Sequence, residues 1–556
     1  MTLRASVAAT IGLLGAGLPG CGDKASEAPQ GADGPRFLFV DVAREAGLVR
    51  PTWCGRPEKP HILESGGTGL ALFDYDEDGD LDVYLVNGWR LEGASVLERG
   101  PNALYRNVGD GTFEDVTDEA GLGDAGWGCG VGVGDFDGDG QRDVFVANFG
   151  PDALYRNEGD GTFQPVAVEL GELGEPGIDG WSACPVFFDA DGDGDEDLFV
   201  TGYIEASLED VLQARPTLDW KDKKVMLGPF GLEGEANRYF ENLGGGRFRD
   251  ATQEAGLTDV GLYYSLGAIA LDVDADDDLD LYVANDSNPN YLYRNDGTGR
   301  FQDVGLWSGC ALDAQGQAQA GMGIASGDFD GDGLVDLFVT HFADDASTLY
   351  QNLGDCLFRD VSLPCGVSGP TYAPLSWGTC LADLDLDGWL DLFIANGHIY
   401  PQADEVEGTS YAQANQLLAG NGARFEDVSR DAGPGLAVVE SSRGLACGDI
   451  DGDGDVDLVV ANVDAPPTLL RNDSPRRGSW LLVDAPGALR VTVDAGVRRF
   501  VRQAARGGSF NSVCDERHHF GLGPDVQVVD VTVRWPGGSE TVRRAVPVNR
   551  VALVRR

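Results

Sequence analysis

Positive charge is scarce along this 556-residue chain: 40 lysines and arginines face 92 aspartates and glutamates, for a formal net charge of −52. A surface of that sign repels nucleic acid and anionic headgroups, which excludes both as partners of its acidic part. Histidine is scarce too, with five residues in all. There is no serine nucleophile elbow, no phosphate-cradling loop and no basic aromatic surface, so the usual signatures of hydrolase, nucleotide and nucleic-acid chemistry are missing. After the first twenty residues no apolar run reaches the length a bilayer requires, and the cysteine spacings match no zinc motif. An apolar content of 42% is nonetheless ample for large cores.

The chain does contain a ladder of aspartates, close to D-x-D-x-D-G-x-x-D, written seven times and running each time into a short apolar strand. The ladders begin at Asp74, Asp135, Asp189, Asp272, Asp328, Asp383 and Asp449, 54 to 83 residues apart, a period that marks an array of supersecondary units. Ca²⁺ takes six to eight oxygens, and three carboxylates at alternate positions converge on one point when the backbone curls around it. A glycine permits the turn and the ninth-position aspartate closes the shell. The metal-ligating sets are Asp74, Asp76, Asp78 and Asp82; Asp135, Asp137, Asp139 and Asp143; Asp189, Asp191, Asp193 and Asp197; and Asp272, Asp274, Asp276 and Asp280. They continue with Asp328, Asp330, Asp332 and Asp336; Asp383, Asp385, Asp387 and Asp391; and Asp449, Asp451, Asp453 and Asp457. The seventh position, Gln141 in the second copy, offers its backbone carbonyl. In the fourth copy Asp277 replaces the turn glycine, which predicts a distorted or weak site. The exits, such as RDVFVAN and LDLFIAN, are strands and not the helices of an EF-hand. Carboxylates this crowded repel one another without metal, so solvated acidic turns are the weaker reading. The expected cofactor is Ca²⁺, up to seven ions, in a structural role.

Each exit strand leads into a second refrain, such as NALYRNVGDGTFEDV or NYLYRNDGTGRFQDV, which reads as strand, Gly-rich hairpin turn, strand. With the glycine-studded strand before each ladder, such as GCGVGVGDF, every unit has four antiparallel strands. Seven such units around an axis make a β-propeller. The last unit ends at TLLRNDSPRRGSW, short of a fourth strand, while residues 37–48 (FLFVDVAREAGL) echo the FEDVTDEAGL of the first unit. An N-terminal strand completing the last blade closes the ring and hides an edge.

GVGVGDFDGDGQRDVFVAN and its siblings resemble the FG-GAP or VCBS repeats of the integrin-α type of propeller. HHFGLGPDVQVVDVTVRWPGG resembles the ASPIC/UnbV domain, a combination similar to that of bacterial relatives of cartilage acidic protein. The NRDAIGARV-like segment usual in that family shrinks here to APGALRVTV, between Trp480 and Val497. The expected fold class is all-β: a seven-bladed β-propeller with calcium-binding loops plus a small C-terminal β-domain. The expected segments are a lipoprotein-type signal peptide at 1–20, a flexible tether at 21–36, the propeller at 37–473 and an ASPIC/UnbV-like domain at 474–556.

Arg4, the apolar stretch from Ala5 to Leu18 and the tetrad Leu18-Pro19-Gly20-Cys21 fit an export signal whose end resembles a lipobox. Cys21 is then the lipidated first residue and the membrane attachment of an exported protein; ordinary cleavage near Pro19 is the alternative. Nine cysteines remain, an odd number, so at least one is free. Cys129, Cys184, Cys380 and Cys447 suit buried inner strands, and Cys356 and Cys365 could pair. Residues 474–556 hold 14 arginines and 7 acidic residues, a net of +7 that leaves −59 on the rest. The basic segment is expected to dock on its own propeller or on an acidic partner.

Ladders join strands one and two of a blade, so connections between strands two and three open on the opposite rim. Three are long, at 88–101, 202–237 and 397–415, and loops of that length in a compact domain carry function. The candidate ligand rim is Trp89, Trp220, His341, His398 and Tyr400, since aromatics beside polar groups suit glycan stacking or a protein hot spot. The expected function is a calcium-stabilised, cell-surface binding or adhesion module for a protein or glycan. The rival readings are an extracytoplasmic enzyme of polysaccharide-lyase or quinone-dependent type and a structural component of a surface assembly; His341 and His398, in adjacent blades, are read as a ligand or acid/base pair or as locally satisfied loop residues.

Overall fold

A computed structural model describes residues 35–93, 95–166, 180–213, 216–257 and 262–556. Cys21, the expected signal peptide and residues 21–34 of the expected tether lie outside them. Residues 35–556 form one compact unit.

Seven antiparallel sheets of the propeller type follow one another along the chain, each built from four repeat strands. Their inner strands are Leu70–Phe73, Trp127–Gly134, Ser182–Phe188, Tyr264–Leu271, Ile324–Gly327, Ser376–Ala382 and Ser442–Gly448. Each packs against the next and the last against the first, which closes the ring. The glycines of these strands let backbones approach: a Cβ on Gly130 would lie 2.0 Å from the Ala183 carbonyl oxygen, and one on Gly267 2.2 Å from that of Met322. The seventh blade takes its outer strand from the other end of the chain, with Phe39–Asp41 pairing against Thr468–Asn472 in the register Phe39 to Asn472.

The asparagine of the LYRN refrain joins the blades. Asn157 Nδ2 donates to the Arg142 carbonyl of its own blade (3.2 Å) and to the Tyr75 carbonyl in the preceding ladder (2.8 Å). Asn242, Asn295, Asn352 and Asn472 repeat the pattern, and Asn107 reaches Ile450 (2.8 Å), tying the first blade to the last. The sixth blade has Gly420 at this place, where a Cβ would lie 1.9 Å from the Leu390 carbonyl oxygen.

Beyond Trp480 the chain forms two further sheets around Val491, Val493, Phe520, Val531 and Trp535. This basic domain sits on the ladder face: Arg534 pairs with Asp277 (2.5 Å), the Arg498 guanidinium lies 3.5 Å over the Trp389 ring, and His519 Nε2 is 3.0 Å from the Gly454 carbonyl. Between its strands Arg499–Gln503 and His518–Gly521, residues 504–517 leave the domain and run through the propeller's centre. Gly507 pairs with Ile269 of the fourth blade and Ser509 with Ile324 of the fifth. The Val131 amide donates to Asn511, Val513 to Leu70, and Asp515 to Cys447, and the Thr379 amide of the sixth blade donates to the Ser509 hydroxyl (3.2 Å), so this plug bonds to six inner strands. Glu516 lies between Arg142 (2.6 Å) and Arg506 (2.5 Å); burial opposes its charge, yet the two guanidinium groups hold its carboxyl down at about 2.

Candidate functional site

The ladders form compact carboxylate cages. In Asp74/Asp76/Asp82, Asp135/Asp137/Asp143, Asp189/Asp191/Asp193, Asp272/Asp274/Asp276 and Asp328/Asp330/Asp332, one carboxylate oxygen per residue lies within 4.8 Å of the others. The sixth position is left-handed throughout, with φ 95° at Gly140 and 97° at Gly454, which is why glycine recurs there. The first aspartate pins the turn: Asp135 accepts from the amides of Gly138, Asp139 and Gly140.

The ninth-position aspartates do more than close a shell. Asp143 is fully buried; its Oδ2 accepts the Phe136 amide (3.0 Å) and its Oδ1 the Asn157 amide (2.8 Å), linking loop, second strand and third strand. All seven copies repeat this pair of bonds. Burial pushes Asp82, Asp143 and Asp336 up to about 8 and Asp197 to about 7.

Several buried oxygens, Asp76, Asp137, Asp274 and Asp449 Oδ1, have no hydrogen-bond partner. A buried carboxylate oxygen left unsatisfied within a cluster of its own ladder's carboxylates fits a hard divalent cation. Two residues overlooked by reading the seventh position as a backbone donor join this group. Asp278 and Asp455 each bury an unpartnered Oδ1, with burial and then neighbouring carboxylates raising them to about 7 and about 9.

Two ladders depart from expectation. The fourth is not distorted: Asp277 adopts the glycine-like φ of 75° and its carboxylate is held by Arg534, so the loop keeps its turn and gains a docking contact. The sixth already holds a cation. Arg36 donates to Asp385 and to Asp387 (2.7 Å) and lies 3.7 Å from Asp391. A guanidinium therefore stands where the spacing predicts an ion.

The opposite rim carries an aromatic cavity of about 340 Å³. Its wall includes Trp181, Tyr203, Phe342, Trp377 and Tyr400, and its floor includes Phe510 from the plug, T-stacked on Trp377 at 4.7 Å. A hairpin from the third blade, Thr217–Trp220 with Lys223–Met226, crosses it; Lys221 and Asp222 turn the chain at φ 47° and 64°. Lys221 pairs with Asp344 (2.8 Å) and Lys223 with Glu405 (2.6 Å), which anchors the hairpin to the fifth and sixth blades.

Of the expected rim residues, Trp220, His398 and Tyr400 do converge, with ring centroids 4.7 to 5.5 Å apart. His398 backs Trp220 and does not line the cavity; its Nδ1 accepts the Tyr400 amide (3.0 Å), and burial lowers it to about 3, so it is neutral. His341 is buried outside the lining, and Trp89 packs on Trp127 under the Arg99 guanidinium. The acid/base pairing of the two histidines gains no support from this placement. Trp181, Tyr203, Phe342 and Trp377 were overlooked, although aromatics bordering exit and inner strands recur in their blades; nothing in the local sequence marks Phe510. Cys356 is a free thiol whose Sγ lies 3.3 Å from Asp274, so it does not pair with Cys365.

Residues 74–146, 135–200, 272–339 and 328–394 match the FG-GAP-like repeat, and residues 483–556 match ASPIC and UnbV. The chain carries FG-GAP repeats and an ASPIC/UnbV domain. It is homologous to cartilage acidic protein 1, being 27% identical to the Mus musculus protein over 321 residues (53% of this chain, 45% of that protein) and 27% identical to the Homo sapiens protein over 322 residues (53% and 44%). The chain thus spans less than half the length of these curated relatives. Among solved structures it is similar to an Agrocybe aegerita lectin that recognises non-reducing terminal N-acetylglucosamine (TM-score 0.38, 16% identity, 72% of this chain and 86% of that one). It is also similar to YCF48 bound to D1 peptide (TM-score 0.39, 8% identity, 77% and 99%). The FG-GAP matches take in the first six ladders, and the ASPIC/UnbV match takes in the plug. No helix among the described residues is long and apolar enough to cross a membrane.

Proposed function

We propose that this chain is an exported binding module, stabilised by Ca²⁺ and attached to a membrane through Cys21, whose protein or glycan ligand enters the aromatic cavity on the rim away from the ladders. The observation that carries the reading is that cavity itself: the long insertions of the third and sixth blades, short connections of the fourth and fifth and the tip of the plug border about 340 Å³ lined mainly by apolar and aromatic side chains with a few polar groups, the usual make-up of a ligand site. Calcium would be held by six ladders, since Arg36 takes the carboxylates of the sixth. The ions would neutralise each cage and fix the loop at its base. At ~1 mM calcium and a Kd of ~10⁻⁴ to 10⁻³ M, each site stabilises the fold by roughly 0.4 to 1.4 kcal/mol.

The test is a glycan and protein array screened with the calcium-loaded chain, followed by Tyr400→Ala and Trp181→Ala. Both substitutions should abolish capture of whatever binds. Capture that survives both, and falls only with substitutions on the ASPIC/UnbV domain, refutes the location.

A further inference from the structure

We propose that the cavity selects an organic ammonium group, the cationic end of a small molecule, with Asp286 as its counter-ion. This deepens the proposed function and rests on its placement of the ligand. Among the described residues the cavity lining has no lysine, arginine or histidine, yet it holds the carboxylates of Asp286 and Asp345 from the fourth and fifth blades. Asp286 Oδ2 accepts from the Tyr203 hydroxyl (2.9 Å) and Oδ1 from the Ser287 hydroxyl (2.9 Å). Asp345 Oδ1 accepts from Gln319 Nε2 (2.7 Å). These partners are neutral, and each Asp286 oxygen keeps a lone pair for a ligand.

A carboxylate withdrawn from water is normally paired with a cation. Two fixed cations lie against rings of the cavity wall, Arg443 on Trp377 and Lys221 on Trp220, and both are engaged elsewhere. Arg443 lies behind Trp377, its guanidinium donating to the carbonyls of Ser65, Ser442 and Gly397 and its centre 4.2 Å from the indole. Lys221 is taken by Asp344 outside the lining. The countercharge that the protein does not supply inside the cavity falls to the ligand. The aromatic walls favour the same ligand, because an ammonium is attracted to ring faces and less costly to desolvate when its charge is spread over methyl groups. Trp181 and Tyr203 are set edge to face at 4.8 Å, so faces of different orientation border the volume.

The experiment uses the calcium-loaded full chain and two probes of matched shape, choline and its neutral carbon isostere 3,3-dimethylbutan-1-ol, titrated by calorimetry with tryptophan fluorescence as a second readout. Choline should bind at least tenfold more tightly than the isostere. Asp286→Asn should remove that preference and leave the isostere's affinity unchanged. Equal binding of the two probes, absence of choline binding, or an unchanged preference in Asp286→Asn overturns the proposal. Should Asp286→Asn fail to fold by circular dichroism, the comparison of the two probes on the unsubstituted chain decides. A neutral glycan captured on the array and lost with Tyr400→Ala, together with equal probe binding, would retain the cavity as the site and reject the ammonium.

Discussion

Single side chains in this propeller settle matters that the repeat motif leaves open. Arg36 is one: it holds Asp385 and Asp387, which would lower the proposed calcium count from seven to six. Calcium titration of the chelator-stripped protein, read by calorimetry, should give six equivalents, and Arg36→Ala should gain one; seven equivalents in the unsubstituted chain would show that the guanidinium yields its place to the ion. The refrain asparagine is another. Asn157 is fully buried and serves two carbonyls in two blades, and removing it leaves both without that donor. Asn157→Ala should cost about 2 to 3 kcal/mol in urea unfolding, whereas Asn421→Ala, which frees two amides on an exposed turn, should cost well under 1 kcal/mol. Equal costs would mean that the stitch contributes nothing beyond a surface turn.

At the scale of elements, the plug and the N-terminal strand are the two segments that join distant parts of the chain. Glu516 secures the plug, and its carboxyl is depressed from an ordinary 4.5 to about 2. A depressed acid stabilises the folded state above its unfolded pKa and loses that contribution as pH falls through the folded one. The gap between the parent chain and Glu516→Gln should therefore be on the order of 3 kcal/mol at pH 7, shrink below about pH 4.5, and vanish near pH 2. A gap independent of pH would place the effect in packing and not in charge. For the N-terminal strand, deleting residues 37–48 exposes the edge of Thr468–Asn472 and should lower Tm far more than deleting residues 22–34; matching melting temperatures would contradict the pairing's importance.

For the whole molecule the governing quantity is charge. A formal −52 is carried mostly by the propeller, and the ASPIC/UnbV domain, at +7, sits on the face where the ladders concentrate it. The six divalent ions proposed would add 12 positive charges and take the total to −40. Chelation should therefore lower Tm by many degrees, with Asp139→Ala and Asp332→Ala each giving a small part of that loss. Added salt should recover some of the loss by screening the exposed cages. A melting curve indifferent to chelator would remove calcium from the account of stability.

The sequence by itself determined what is local and repeated. A turn of alternating aspartates and the short apolar strand it enters, buried along its length, are encoded within about ten residues, and seven copies made the blades and ladders legible, as the echo of FEDVTDEAGL in residues 37–48 made the closing strand. The opposite rim was legible in part, because Trp220, His398 and Tyr400 sit on long insertions whose direction follows from strand order. Only the tertiary structure decided the rest: Arg36 in a ladder 349 residues away, the stitch from each LYRN asparagine to the blade before it, and Phe510 beneath a cavity made by the other domain. These contacts join segments far apart in the chain, and their partners are chosen by how the closed ring and the docked domain place them, which no local pattern of residues records.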